Sequence, residues 1–177
     1  MKGASRYGEM AELCTRSSAS DMNLGDILSS SQLVPELRAS TRWEAIDELI
    51  GQLVHAGRVK PENREAVTAA VKKRETSMST GIGFGIGIPH ASTDLIPEVT
   101  GAFARSARGL QFDSLDNQPV HLVMLFLVPQ GQFQKHLHTL AHIAKVLRND
   151  AFHKAILGAN DAVAMMQIIR EFSANVR

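Results

Sequence analysis

An unbroken run of apolar residues extends from Leu122 to Val128 and stops at Pro129. A strand with one solvated face alternates apolar and polar residues, and this run shows no such alternation. It therefore predicts a short strand that is buried on both faces of its sheet. A second strand is predicted from Val99 to Ser106. Because amphipathic helices also occur in the chain, we expect an α/β sandwich with helices on both faces of the sheet.

The strongest helix prediction begins at Thr41. Thr41 and Glu44 have the spacing of a capping box, an apolar stripe follows, and Gly57 is well placed to end the helix. Further helices are expected at about residues 61–74, 137–147 and 161–172, the last with Asp161 as its N-cap. Leu137, Leu140, Ala141, Ala144 and Leu147 predict an amphipathic helix at 137–147, with its buried stripe near Leu140, Ile143 and Leu147.

Length and composition suggest a single domain. The chain has 177 residues, of which 44% are hydrophobic, and this is enough for a core without disulfides or metal ions. Residues 1–20 are rich in Ser, Gly, Ala and charge and show no apolar periodicity. We therefore predict a flexible leader at residues 1–20 and one domain at residues 21–177.

Charge and cysteine content narrow the possible functions. With 19 basic and 18 acidic residues the formal net charge is +1, so nucleic-acid binding is not expected. The basic triplet at residues 72–74 is interpreted as a solvated helix end that suits the helix dipole. The single cysteine, Cys14, excludes an internal disulfide and fits a reducing compartment. Because no apolar run approaches the roughly 20 residues that span a bilayer, we expect a cytoplasmic protein without direct membrane insertion.

Glycine and apolar residues alternate from Gly81 to Ile88, directly before Pro89 and His90. The alternation predicts an extended segment that another backbone or a ligand can approach closely, and we expect the chain to leave the sheet where this segment ends at His90. Its spacing fits neither a Walker sequence nor a dinucleotide-binding loop. Pro89 stiffens the approach to His90, and a neutral imidazole is a competent nucleophile near pH 7. His90 is thus a candidate nucleophile, although spacing alone fits an ordinary surface histidine equally well.

Three histidines lie at or near the start of the helix predicted at 137–147. His138 and His142 share one side of it, whereas His136 lies roughly 160° from His138 around the axis, so the three cannot converge on one metal ion. His136 sits where free backbone N–H groups favour an anion; it is either a group that steadies a phosphate or a partly buried structural histidine. A hydrolytic metal site at His138 and His142 is a weaker alternative, because a third ligand and a general base are missing.

Three segments, taken together, resemble a known bacterial family. They are RETSMSTGIGFGIGIPHAS (Arg74 to Ser92), DNQPVHLVMLFLVP (Asp116 to Pro129) and HLHTLAHIAKVL (His136 to Leu147). In this order they resemble the IIA domain of the fructose/mannitol class of the bacterial phosphoenolpyruvate-dependent sugar phosphotransferase system, most closely the nitrogen-regulatory type. The likeness extends over about residues 22–172.

The resemblance implies a mixed β-sheet flanked by helices, and a histidine phosphocarrier as the function. It implies that His90 accepts a phosphoryl group from the phosphohistidine of HPr or of its nitrogen-branch equivalent. It places His136 beside the phosphorylated ring, and it assigns phosphate binding to Arg74. The resemblance requires no cofactor and no metal. Ala91 follows His90 where the family usually has Gly.

Two roles remain open for such a protein. A regulator would be sensed by target proteins that distinguish phosphorylated from unmodified His90. A IIA subunit of a transporter would instead pass the phosphoryl group to a sugar-specific IIB domain. The sequence shows neither a second phosphocarrier domain nor a membrane segment, and this favours the regulator.

Overall fold

The computed structural model describes residues 22–175, so the predicted leader and Cys14 lie outside the described residues. Within them the helices are α1 (Leu24–Ile27), α2 (Arg42–His55), α3 (Arg64–Ser77), α4 (Leu137–Leu147), α5 (Asp150–Leu157) and α6 (Ala162–Asn175). The strands are β1 (Leu33–Val34), β2 (Gly81–Gly83), β3 (Ile86–Gly87), β4 (His90–Thr93), β5 (Thr100–Leu110) and β6 (Val120–Pro129). Short 3₁₀ turns occur at Ser30–Gln32, Pro61–Asn63 and Phe133–His136.

The sheet is mixed. Its strand order is β1-β5-β6-β3-β2, with β4 also paired to β6. β5 and β6 are antiparallel, whereas β1 runs parallel to β5, and β3 and β4 run parallel to β6. Every residue of β6 except the partly buried His121 is buried. The predicted strand with two covered faces is therefore confirmed.

Helices cover both faces of this sheet, as predicted. The even-numbered residues of β6 from Leu122 to Val128 pack into a core with α1, α4, α5 and α6. The odd-numbered residues from Val123 to Leu127 pack into a second core with α2 and α3. The two-residue period of the strand thus divides the apolar run between the two layers.

Local capping sequences set the ends of the main helices. Thr41 Oγ1 accepts the Glu44 N–H at 3.3 Å, and the Glu44 carboxylate accepts the Thr41 N–H at 3.3 Å. Gly57, with a φ of 70°, follows the end of α2. Asp161 Oδ1 accepts the Ala164 N–H at 2.8 Å and begins α6. These predictions of the capping residues are confirmed.

Helix α5 was not predicted from the sequence, because eight residues show too little periodicity to be recognised. Asn149 begins it by accepting the Phe152 N–H at 3.0 Å. The guanidinium of Arg105 in β5 closes its other end by donating to three carbonyl oxygens, those of Ile156, Leu157 and Ala159. A contact between a strand and a distant helix end therefore completes this helix, and no local pattern encodes it.

The glycine-rich segment differs from the single extended strand that we expected. β2 and β3 form a hairpin, and the residues at its tip, Phe84 and Gly85, have φ angles of 58° and 73°. Positive φ at both central residues is characteristic of type I′ turns, in which Asn and Gly are preferred and Phe is unusual. The expected close approach is present, because a Cβ at Gly87 would lie 2.7 Å from the Phe112 ring.

Candidate functional site

His90 is the first residue of β4. We expected the chain to leave the sheet at this residue, but it opens a strand instead. His90 lies opposite Phe126 of β6, and the Pro89 carbonyl accepts the Phe126 N–H at 2.9 Å. β3 and β4 follow the same register along β6, so they are one strand interrupted at Ile88 and Pro89. The interruption places the histidine immediately after a rigid break in a buried sheet.

A hydrogen bond to the backbone sets the tautomer of His90. Its Nδ1 lies 2.8 Å from the Ile88 carbonyl oxygen. A carbonyl can only accept, so in the neutral ring Nδ1 carries the hydrogen and Nε2 carries the lone pair. Nε2 is therefore the ring nitrogen whose lone pair is free to act as a nucleophile.

Phe133 stacks on the His90 ring, with centroids 5.7 Å apart and an angle of 18° between the planes. Burial lowers the pKa of His90, and the nearby Arg74 adds to this effect; the Ile88 hydrogen bond and the Glu75 carboxylate act in the opposite direction. The lowered pKa keeps the imidazole neutral at pH 7, the state in which it can attack. Sequence reasoning missed Phe133, because an isolated aromatic residue in a loop carries no functional pattern.

Two cationic side chains lie beside the ring. A cavity of about 530 Å³ is bordered by His90, Lys73, Arg74 and the hydroxyl residues Ser77 and Ser92. This set of cations and hydroxyl groups suits the oxygens of a phosphoryl group. Arg74 was predicted to be there, whereas Lys73 was not.

Lys73 is exposed, as the interpretation of the basic triplet as a solvated helix end predicts, and it also borders the cavity that contains His90. Lys72 has a different environment, since its Nζ lies 2.7 Å from Asp47 Oδ1. Arg74 does contact the helix end, because its Nη1 donates to the Met78 carbonyl at 3.1 Å. Helical spacing alone cannot show which of three consecutive cations faces a site on another element.

His136 ends the 3₁₀ turn that starts at Phe133 and precedes α4. Residues three apart in a 3₁₀ helix lie on the same side, so His136 lies on the side of Phe133, which contacts His90. The side chain is buried, with 7% exposed, and its Nδ1 has no hydrogen-bond partner within residues 22–175. Burial, together with the nearby Lys135, lowers the pKa of His136. Because Nδ1 is enclosed by protein, only Nε2 of this ring could donate a hydrogen bond to a phosphoryl oxygen.

The metal-site alternative gains no support from residues 22–175. His138 is exposed, and the described residues contain no group of three or more His, Cys, Asp or Glu side chains that could hold a metal ion. That the protein functions without metal stays a prediction. Over the same residues, no helix has the length and apolar character needed to cross a membrane.

A second, apolar cavity of about 340 Å³ also borders His90. It is lined by Thr80, Ile82, Ile88, Leu137, Leu140, Ala141 and Ala144. The buried residues of α4 are Thr139, Ile143, Val146 and Leu147, so the predicted buried stripe is confirmed at Ile143 and Leu147, and Leu140 packs against the same core. Leu140 and Ala144 are partly buried, Ala141 is exposed and Leu137 is 43% exposed. These four side chains form an apolar surface next to His90.

Replacing Phe133 by Ala is expected to raise the pKa of His90 towards its ordinary value, because burial is the main cause of the lowered pKa. The neutral fraction of the ring would then fall at pH 6, and phosphorylation would slow there more than at pH 8. NMR titration of the His90 ring protons measures the pKa directly. Phe84→Ala is a matched control, since Phe84 is an exposed aromatic residue that stacks against Arg148 instead. An unchanged or lower pKa in Phe133→Ala would contradict this role of Phe133.

The chain is thus an α/β sandwich that holds one partly buried, oriented histidine beside two cations at the start of a strand. Comparison with known proteins identifies the family. Residues 26–172 match the family model described as "Phosphoenolpyruvate-dependent sugar phosphotransferase system, EIIA 2". The protein belongs to this family, which confirms the resemblance seen in the sequence and makes the chain a phosphotransferase component.

Named relatives fall in both branches of the family. A "PTS system fructose-specific EIIA component" of Haloferax volcanii is 38% identical over 75% of this chain and 84% of its own length. A "Nitrogen regulatory protein" of Bradyrhizobium diazoefficiens is 32% identical over 84% of this chain and 95% of its own length. The solved structure of nitrogen regulatory protein IIA-Ntr from Neisseria meningitidis is 26% identical, with a TM-score of 0.73 over 82% of this chain and 97% of that one.

Ala91 follows His90 at the position where the resemblance implies Gly. Its side chain is 7% exposed and packs in the core formed with α2 and α3. The added methyl group therefore contributes little to the surface that another protein would meet.

Proposed function

We propose that this protein is a histidine phosphocarrier whose Nε2 of His90 accepts a phosphoryl group from the phosphohistidine of an HPr-type protein. The observation that carries the proposal is the hydrogen bond between Nδ1 of His90 and the Ile88 carbonyl oxygen. In a neutral ring this bond places the hydrogen on Nδ1 and leaves the lone pair on Nε2. Lys73 and Arg74, which border the same cavity, support it. Membership of the phosphotransferase family supports it independently.

The proposed transfer is an in-line displacement at phosphorus. The Nε2 lone pair of His90 forms the new P–N bond, and the P–N bond to the donor imidazole breaks, its electron pair leaving with the donor nitrogen. Each ring keeps the hydrogen on its other nitrogen, so no proton transfer, metal ion or nucleotide is required. The transition state is loose, with negative charge spread over three equatorial oxygens, so positioning and positive charge supply most of the catalysis.

Three side chains are proposed to stabilise that charge. Arg74 can present two parallel N–H donors to two phosphoryl oxygens, and Lys73 can add a point charge. His136 can donate a further hydrogen bond from Nε2, since its Nδ1 is enclosed by protein. The backbone N–H groups that begin α4 have no side-chain cap at His136, which also favours an anion.

The apolar surface on α4 is the proposed docking site for the donor. It borders His90, and its exposed Leu137 gives a partner protein apolar area to cover. A partner that covers this cavity would exclude water from the reacting phosphorus and strengthen the charge interactions there. The proposed donor is therefore a small phosphocarrier protein rather than a free metabolite, and the proposed compartment is the cytoplasm.

We propose further that the protein acts mainly as a regulator whose targets sense the phosphorylation state of His90. A phosphoryl group adds about 1.5 to 2 negative charges to a surface that carries Lys73 and Arg74, and this is enough to change a target's affinity. This role is supported by sequence similarity to the Bradyrhizobium nitrogen regulatory protein, which extends over most of this chain and of that protein. The alternative, a IIA subunit that passes phosphate to a IIB domain, is supported by likeness to the fructose-specific component.

If the protein is a regulator, we expect phosphorylated His90 to be stable. We also expect a target protein that binds the phosphorylated and unmodified forms with different affinity. Phosphorylated protein and the locked unmodified His90→Ala form would be compared as baits in cytoplasm from the source organism. At least one target should bind one state clearly better, and the phosphoryl group should persist when membranes and candidate sugars are added. Fast transfer to a IIB domain, with sugar phosphate formed and no state-selective target, would instead identify a transport subunit.

A further inference from the structure

Glu75 follows Arg74 in the last turn of α3, and its carboxylate is buried, with 1% exposed. A buried carboxylate is stable only when its oxygens are hydrogen-bonded or paired with a cation. The Glu75 oxygens accept the Thr80 N–H at 3.0 Å and the Thr80 hydroxyl at 2.6 Å. Glu75 therefore holds the chain at the start of the glycine-rich hairpin at two points.

The hydrogen bonds continue from Thr80 to the reactive ring. The Thr80 carbonyl accepts the Ile88 N–H at 3.0 Å. The Ile88 carbonyl, in turn, accepts the hydrogen on Nδ1 of His90 at 2.8 Å. An unbroken series of hydrogen bonds thus runs from the Glu75 carboxylate through Thr80 and Ile88 to His90.

We propose that Glu75 is a positioning residue for phosphoryl transfer, which holds Thr80 so that the Ile88 carbonyl keeps the hydrogen on Nδ1 of His90. This inference rests on the proposed function of His90. Glu75 acts through the backbone and does not touch the phosphoryl group. Its effect is to leave the Nε2 lone pair in one orientation and one tautomer.

Arg42 fixes the carboxylate from α2. Its Nη1 lies 3.7 Å from Glu75 Oε1 and donates to the Phe112 carbonyl at 3.1 Å, and its Nη2 lies 3.1 Å from Asp113 Oδ2. The Arg42 guanidinium also lies over the Trp43 ring, 4.6 Å from its centroid. A guanidinium held by so many partners cannot easily move, so Glu75 has a rigid counter-charge.

The position of Glu75 carries an electrostatic cost that its hydrogen bonds must offset. A carboxylate near an incoming phosphoryl group repels it, and Glu75 lies near enough to His90 to act on the ring's pKa. A neutral residue would remove this repulsion but would lose the two acceptors for Thr80. The Arg42 counter-charge reduces the repulsion and leaves those acceptors in place.

The test reads the His90 tautomer in unphosphorylated protein, so it does not depend on the proposed function. With ¹⁵N-labelled histidine and at a pH where the ring is neutral, the parent should show one hydrogen-bearing Nδ1 and one lone-pair Nε2. Glu75→Ala should shift both nitrogen signals towards each other, as mixed tautomers require. It should also slow phosphorylation about 10- to 100-fold, the usual result of a misplaced reacting group.

Two variants separate positioning from general loss of stability. Glu48 of α2 is the matched control, because its carboxylate also anchors backbone N–H groups, those of Arg38 and Ala39. Glu48→Ala should leave the His90 nitrogen signals and the rate at parent values. Glu75→Gln keeps an acceptor for the Thr80 N–H and should restore most of the parent signal pattern.

Parent-like nitrogen signals in folded Glu75→Ala would overturn the proposal, as would an equal change in Glu48→Ala. If Glu75→Ala does not fold, Thr80→Val decides, since it removes only the hydroxyl bond to Glu75. Signals that move towards mixed tautomers in Thr80→Val support the proposal, and unchanged signals overturn it. If the His90 tautomer depends on Glu75 but His90 is never phosphorylated, the positioning role of Glu75 stands and only the proposed function is wrong.

Discussion

Replacing His90 by Ala is expected to reduce phosphorylation by a phosphorylated HPr-type donor to below detection. The proposed P–N bond needs a lone pair on a ring, and no other histidine combines an oriented Nε2 with Lys73 and Arg74 within the part of the chain that the structure describes. The measurement is intact-mass spectrometry after reaction with the donor, at neutral or basic pH.

His55→Ala is the control for this experiment, because His55 is an exposed histidine in the last turn of α2. It should be phosphorylated at the parent rate. Labelling of His90→Ala to the same extent as the parent would show that the phosphoryl group resides elsewhere. That outcome would remove the basis of the proposed function.

Loss of Arg74 or His136 is expected to slow the phosphorylation of His90 by about 10²–10³, which corresponds to roughly 2.7–4 kcal/mol of transition-state stabilisation. Arg74→Ala removes a cation from the cavity beside His90. Arg74→Lys keeps the charge but loses the two-pronged donor, so its rate should lie between those of Arg74→Ala and the parent. Single-turnover transfer from phosphorylated donor measures each rate.

His136→Ala removes the ring whose Nε2 is the proposed hydrogen-bond donor to a phosphoryl oxygen. Arg58→Ala controls for the loss of one positive charge, since Arg58 pairs with Glu98 and does not border the cavity. The control should react at the parent rate, and Arg74→Ala should carry no phosphoryl group on His136. Parent rates in both variants would show that the roles assigned to Arg74 and His136 are wrong.

Much of the fold follows from short patterns in the sequence. The apolar run from Leu122 to Val128 predicts a strand with two covered faces because each of its side chains must be buried on one side or the other. The Thr41 and Glu44 pair and the Asp161 cap predict helix ends because the same residues satisfy the free N–H groups locally. In each case the interacting residues are close in sequence, so the pattern contains the whole interaction.

The site was predictable only in part, because its geometry depends on contacts between distant segments. Phe133 reaches His90 from another loop, and nothing in its own neighbourhood signals that contact. Lys73 and Lys72 are adjacent in α3, but their side chains leave the helix in different directions, one towards the cavity and the other towards Asp47. Phe84 at the hairpin tip has a positive φ, which residues other than Gly rarely adopt. Conformational propensity therefore argued against a tight turn at this position. Local pattern named His90 and His136 as candidates but left a structural alternative for each, and only the resemblance assigned a role to Arg74.

Phosphorylation of His90 at Nε2 is the central prediction for this protein. Protein containing ¹⁵N-labelled histidine would be phosphorylated enzymatically, kept at basic pH and studied by ³¹P and ¹⁵N NMR, with His90 assigned by comparison with His90→Ala. We predict one phosphoramidate signal, with ³¹P–¹⁵N coupling to Nε2 of His90, while Nδ1 keeps its hydrogen and its bond to the Ile88 carbonyl. Coupling to Nδ1, or to a nitrogen of any other histidine, would contradict the proposed mechanism.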